Sequence, residues 1–162
     1  MNNSNIFILS LVANLEFLEG LGFEKEKLSK FGDGKRVQLW SRSRGWKLER
    51  VEIFYYDNNP KWCELSFVIY ISVGSIIMEL VTQNLGILLH KKRQYDFPQI
   101  LKKIRSERIV RQICIDVETS IAWFDDMSSR HCLDLMEASD ERIQITKSNR
   151  HYPQVVELLQ KA

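Results

Sequence analysis

The residues able to do chemistry in this chain are few and scattered. The histidines are His90, His131 and His151, and the cysteines are Cys63, Cys114 and Cys132. His131 and Cys132 are adjacent, but neighbours on a helix point about 100° apart and cannot readily share a zinc ion. No second ligand pair of CxxC, HxxxH or HExxH spacing accompanies them. Cys114 falls in an apolar helical stripe, where poor solvation of the thiolate raises the pKa and makes the thiol inert. The seven glycines form neither GxGxxG nor GxxxxGKS/T, so no phosphate cradle is written into the chain. Asp125 and Asp126 are paired in sequence but diverge on a helix, and they read as a solvated acidic turn. No catalytic residue, metal ligand or cofactor-binding residue is assigned, and the expectation is a protein that is not an enzyme and holds no cofactor.

Composition and charge narrow the remaining classes. A length of 162 residues suits one domain spanning 1–162, and 44% hydrophobic with 27% charged residues is the balance of a globular chain. The formal charge of +2 is too small for an unspecific polyanion binder. Its distribution is uneven: Lys91 to Arg111 holds eight basic and two acidic residues, whereas Gln112 to Glu141 holds Arg130 alone against eight acids. Three cysteines, an odd number without a CxxC pair, fit reduced thiols in a reducing compartment. The apolar run IFILSLVANL has no basic residue before it and no small-residue cleavage site after it, and no window reaches the ~20 apolar residues of a membrane span. The expected location is cytoplasmic, away from the membrane.

The elements that must position any site follow from periodicity. Phe7, Leu11, Leu15 and Leu18 predict an N-terminal helix ended by Gly20 and Gly22. From Arg36 the period changes to two. RVQLWSR and WKLERVEIFYY predict strands, with a slip of phase between Leu48 and Val51 that a bulge near Arg50 would absorb. After the DNNP turn, Cys63, Leu65, Phe67, Ile69 and Ile71 share one face of the clearest strand. SIIMELVT beyond Gly74 predicts the next strand, and GILLH is either a short strand or a helix start. Asp96, Pro98 and Gln99 open a helix through Ile104. A longer one is predicted from Glu107 to Met127, with Val110, Ile113, Cys114, Val117, Ile121 and Phe124 inward. A short helix over 131–138, a strand over 142–146 and a closing helix from 152 or 153 to 161 complete the series. Helix, then antiparallel strands, then helices is the order of an α+β domain: an N-terminal helix, a sheet of about four to five strands, and C-terminal helices packed on it in two layers.

Recognition by a protein partner is the function that this arrangement favours. On the long helix Trp123 and Ile115 sit opposite the core stripe among Gln112, Asp116, Thr119 and Asp126. Tryptophan is enriched in interface hot spots. That face is either an interface or lies under another helix. Asp125 and Asp126 fall near the predicted helix C-terminus, where the macrodipole disfavours an anion by about 0.3–1 kcal/mol, so helix stability does not account for them. On the sheet, Trp62, Glu64 and Tyr70 share the face turned from the predicted core and form a second candidate patch. The partner-binding residues expected are therefore Asp116, Thr119, Trp123, Asp125, Asp126, Trp62, Glu64 and Tyr70, and an acidic surface of this kind suits a basic partner.

The leading helix ending in LEGLGF, followed by VQLWSRSRGWKLERVEIFYYD and ELSFVIYI, resembles the opening of small bacterial α+β immunity proteins of contact-dependent inhibition and other polymorphic toxin systems. The resemblance implies a cytoplasmic inhibitor that binds and neutralises a cognate, often nuclease, toxin domain. It covers roughly the first half of the chain and carries over no functional residue. Two other readings stay open. One is a small nucleic-acid-binding protein using the basic runs at 42–47 and 91–93, with Arg42, Arg44, Lys91, Lys92 and Arg93 beside Trp40 and Trp46; the acidic stretch and near-neutral total argue against it. The other is an enzyme on an unrecognised scaffold.

Overall fold

The computed structural model describes residues 3–56, 59–84 and 103–162. Helix α1 (Asn3–Asn14) and a single turn α2 (Phe17–Gly20) lead into two short strands, β1 (Glu24–Lys25) and β2 (Ser29–Lys30). Four long strands follow: β3 (Lys35–Arg44), β4 (Lys47–Tyr56), β5 (Asn59–Val73) and β6 (Ile76–Asn84). The C-terminal half holds α3 (Lys103–Ser120), a single turn α4 (Trp123–Asp126), α5 (Ser129–Glu137) and α6 (Tyr152–Lys161). The expected helix around Pro98 and the element at GILLH lie outside the described residues, save for Lys103 and Ile104, which begin α3.

The strands form one antiparallel sheet in the order β1-β3-β4-β5-β6, with β2 also paired to β3. This is an α+β fold, with the helices of both chain ends on the sheet. Gly45 at φ 58° and Gly74 at φ 61° supply the left-handed residue that tight hairpins between β3 and β4 and between β5 and β6 require. Residues opposite one another in register share a face, so Trp40, Val51 and Phe67 point the same way, as do Gln38, Ile53 and Leu65. On that face Leu11, Leu15 and Leu18 from the N-terminal helices, Val110, Ile113 and Val117 from α3, and Val155 and Leu159 from α6 close a single core. Each fully buried aliphatic or aromatic side chain contributes about 1.5–3 kcal/mol. The inward stripe read from the sequence is the observed one, with Cys114 and Ile121 packed at its margin.

Three details differ from the sequence expectation. The strands β3 and β4 pair without interruption from Lys35 opposite Tyr56 to Arg44 opposite Lys47, so there is no bulge at Arg50; the irregularity lies between Phe54 and Tyr56, against β5. The apolar phase seemed to slip because two core-facing positions of β4, Lys47 and Glu49, are charged. The long C-terminal helix breaks after Ser120, and Trp123 begins a separate turn. Finally, the segment 142–146 is one bridge, Ile143 opposite Val81, with Thr82 N–H donating to Arg142 O and Gln144 N–H donating to Leu80 O. That bridge covers part of the β6 edge, which is otherwise a template for unwanted pairing.

Candidate functional site

The sheet carries a charged cluster on each face. On the helix-covered side Glu49 is fully buried (0% exposed). The β3–β4 hairpin places Arg42 opposite Glu49 and Arg44 opposite Lys47, which draws three cations around one carboxylate. Arg42 Nε donates to Glu49 Oε2 at 2.7 Å, Arg44 Nη2 to Oε1 at 2.6 Å, and Lys47 Nζ lies 3.3 Å from Oε1. Each cation also reaches a second element. Arg42 Nη1 donates to Leu21 O at 2.8 Å and its guanidinium lies 4.2 Å from the Phe23 ring centre. Arg44 Nη2 donates to Asp125 Oδ1 at 2.6 Å, and Lys47 Nζ donates to the carbonyls of Phe124 and Met127. The hydrogen bond to Arg44 holds the Asp125 carboxyl below its usual pKa.

Arg42 through Nε and Nη1, and Arg44 through Nε and Nη2, are therefore engaged by Glu49, Asp125 and the end of α2. Asp125 is likewise engaged. It stands in the single turn α4 and not near the end of a long helix, and its ion pair with Arg44 accounts for it there. The sequence expectation that stability does not place it is corrected. Trp123 moves as well. The break after Ser120 swings its ring inward against Phe67 and Phe124, at centroid separations of 6.1 and 5.3 Å, and it packs on the core from a half-buried position. Its Nε1–H is buried without a hydrogen-bond partner among the described residues.

Among the described residues, the exposed positions are Glu107, Arg108, Arg111, Ile115, Glu118 and Thr119 on α3, Ala122 in the break, and Asp125 and Asp126 on α4. Ile115 is 48% exposed, the large aliphatic side chain that α3 leaves in solvent. Thr119 Oγ1 donates to Ile115 O at 2.7 Å, and Asp116 accepts from Gln112 Nε2 at 3.1 Å. Helical spacing aligns Arg111, Ile115, Glu118 and Thr119 along one side of α3, a mixed-charge stripe with Ile115 as its apolar member. The exposed Ile115 was legible in the sequence; the helix break that turns Trp123 onto the core was not, because no Gly or Pro marks it.

The opposite face of the sheet carries Leu48, Arg50, Glu52 and Phe54 beside Glu64, Ser66, Val68 and Tyr70. Val37, Glu52, Ser66 and Val68 are buried there, outside the helix-covered core. Glu52 is 6% exposed and accepts from Tyr70 Oη–H at 2.8 Å. Burial pushes both the Glu52 carboxyl and the Tyr70 hydroxyl up in pKa. Arg50 stacks over the Tyr70 ring at 4.7 Å and lies 3.7 Å from Glu26, whose carboxylate accepts from Ser41 Oγ. Tyr70 thus belongs to a half-buried polar network, whereas Glu64 is exposed at the sheet corner. The side chain of Trp62 and the basic run Lys91, Lys92 and Arg93 lie outside the described residues.

Burial raises the thiols of Cys114 and Cys132 to about 11, as expected of inert cysteines. Among the described residues no three His, Cys, Asp or Glu side chains converge to hold a metal ion, and no helix is long and apolar enough to cross a membrane. No protein-family model, curated protein or solved structure matches this chain.

Proposed function

We propose that this domain is a cytoplasmic binding protein that uses the exposed side of α3 and α4 to hold a basic protein partner, and that the partner is a toxin domain that it neutralises. The observation that carries the reading is Ile115, a half-exposed aliphatic side chain beside Glu118 and Thr119 on a helix whose other side is core, with Asp126 exposed on α4. An apolar anchor between Arg111 and Glu118, with the acids of α4 beyond, supports a recognition surface in which a desolvated centre supplies affinity and charge supplies association rate and selectivity. The resemblance of the first half of the chain to immunity proteins supplies the class of partner. Arg42 and Arg44, which the nucleic-acid reading required, are spent on Glu49 and Asp125, which weighs against phosphate binding at that run.

The test is co-expression of the chain with a basic toxin domain taken from a reading frame next to its own, if that frame encodes one. The wild type should restore growth and form a complex whose affinity falls as salt rises. The charge-reversing pair Glu118→Lys with Asp126→Lys should lose protection while the fold stays intact. Absence of both protection and a complex with the wild type would overturn the proposal.

A further inference from the structure

The two edges of the sheet are finished in opposite ways. Beyond β3 lie β1 and β2, two residues each, and that edge carries the exposed lysines Lys25, Lys27 and Lys30. Short strands and lysines keep an edge from pairing with another chain. The β6 edge has neither device. From Ile76 to Asn84 it holds no Lys, Arg or Pro, and Ile76 and Ile77 are 39% and 56% exposed. The 142–144 segment covers the far part of this edge through the backbone of Leu80 and Thr82, and Ile145 then turns into the core. Among the described residues nothing pairs with Ile76–Glu79 on that side. The extra residue of the register shift is Leu80, where the cover begins, so the open stretch before it stays regular.

The backbone of that stretch is set to receive a strand. Gly74 and Ser75 form a two-residue turn closed by Val73 opposite Ile76. In an antiparallel ladder, pairs that exchange hydrogen bonds alternate with pairs that do not. Val73 with Ile76 and Ile71 with Met78 therefore bond inside the hairpin, and the N–H and C=O groups of Ile77 and Glu79 point outward. The side chains of Ile77 and Glu79 lie on the Tyr70 side of the sheet, away from the helices.

We propose that this edge docks a second copy of the chain, the two β6 strands running antiparallel about a two-fold axis at Ile77. In that register Ile77 exchanges both backbone hydrogen bonds with the partner's Ile77, Met78 stands opposite the partner's Ile76, and Glu79 stands opposite the partner's Ser75, a hydroxyl donor. The stretch is its own complement, because aliphatic meets aliphatic and the one charged side chain meets a hydroxyl; this is why the occupant is a copy and not a foreign strand. An axis at Met78 would instead set the two Glu79 carboxylates on a diagonal, about 7–8 Å apart, within the screening length of about 8–10 Å. The axis at Ile77 separates them by four residues, about 14 Å along the strands. The lysine-bearing far edge stops further growth, so the assembly closes as a dimer. The β6 edge shares no residue with the exposed stripe of α3, and the pairing does not depend on the toxin-binding reading.

The test is sedimentation equilibrium of the full chain over a concentration series reaching millimolar. The mass should rise from 19.1 kDa toward twice that value and no further. A stable complex uses roughly 20–30 residues a side, so this short edge should dimerise only toward the top of the series. Ile77→Lys should stay monomeric throughout, with its circular dichroism unchanged because Ile77 is exposed. The Cα atoms of a hydrogen-bonded pair lie about 5.5 Å apart, within disulfide reach. Ile77→Cys should therefore cross-link to a covalent dimer under mild oxidation, above the wild-type level, and Glu79→Cys should not. A wild type that stays at 19.1 kDa, a dimer that survives Ile77→Lys, or Glu79→Cys cross-linking as readily as Ile77→Cys would each overturn the proposal.

Discussion

Strand β4 buries two glutamates three residues apart, and the two faces of the sheet treat them in opposite ways. Glu49 meets two guanidiniums and an ammonium beneath the helices. Glu52, on the other face, has one hydroxyl donor, from Tyr70. A buried charge is tolerated when opposite charge and hydrogen bonds replace its lost water, and it shifts its pKa when they do not. Glu52 follows the second course, its carboxyl raised chiefly by burial. The lesson is that a carboxylate's partners, more than its depth, decide whether it ties the fold together or opposes it.

Removing Glu49 should have the largest effect. Glu49→Ala leaves three buried or half-buried cations without their anion, and loss of one member of a buried pair costs about 3–5 kcal/mol; urea unfolding will measure it. A loss under about 1 kcal/mol would mean that water, and not Glu49, solvates those cations. Next comes Trp123→Ala, which empties the space beside Phe67 and Phe124 and should cost about 2–3 kcal/mol, less than a fully buried tryptophan. Its complex with the partner should keep its affinity wherever the variant is folded.

The third change runs the other way. Because the folded-state pKa of Glu52 is raised, its contribution to stability is full below the unfolded value of about 4.3 and is lost as pH rises through the folded value. Glu52→Gln keeps an acceptor for Tyr70 and removes the charge, so it should raise the melting temperature at neutral pH. That advantage should vanish in acid. A variant less stable than the wild type at pH 7 would show that Arg50 compensates Glu52 more fully than the raised pKa implies. The smallest effect is expected at Asp125, whose side chain is 65% exposed. Its carboxyl is held low by Arg44, so its contribution is present above the unfolded carboxylate range and lost as pH falls. Asp125→Ala should cost under about 1 kcal/mol at pH 7, as exposed ion pairs do.

The order of helices and strands, the inward stripe of α3 and the core face of β5 were legible because each obeys a single hydrophobic period. The β4 core was not, since Lys47 and Glu49 occupy inward positions and mimic a change of phase. A signal was nonetheless there: Gly45 fixes a short hairpin, and that hairpin sets Arg42 against Glu49. Asp125 was misread for a different reason. Its partner Arg44 is 81 positions away in sequence, and only the folded sheet brings them together. Trp123 and Ile115 looked equivalent on a continuous helix, and the turn after Ser120 separated them into packing and surface.

That separation underlies the functional account, in which charge beneath the sheet builds the fold while the exposed side of α3 recognises the partner. Calorimetric titration of the toxin domain into Ile115→Arg tests it most directly. The account predicts an affinity at least about 30-fold weaker, the range of an interface hot spot, with the melting temperature of the free protein unchanged. Full affinity in that variant would contradict it.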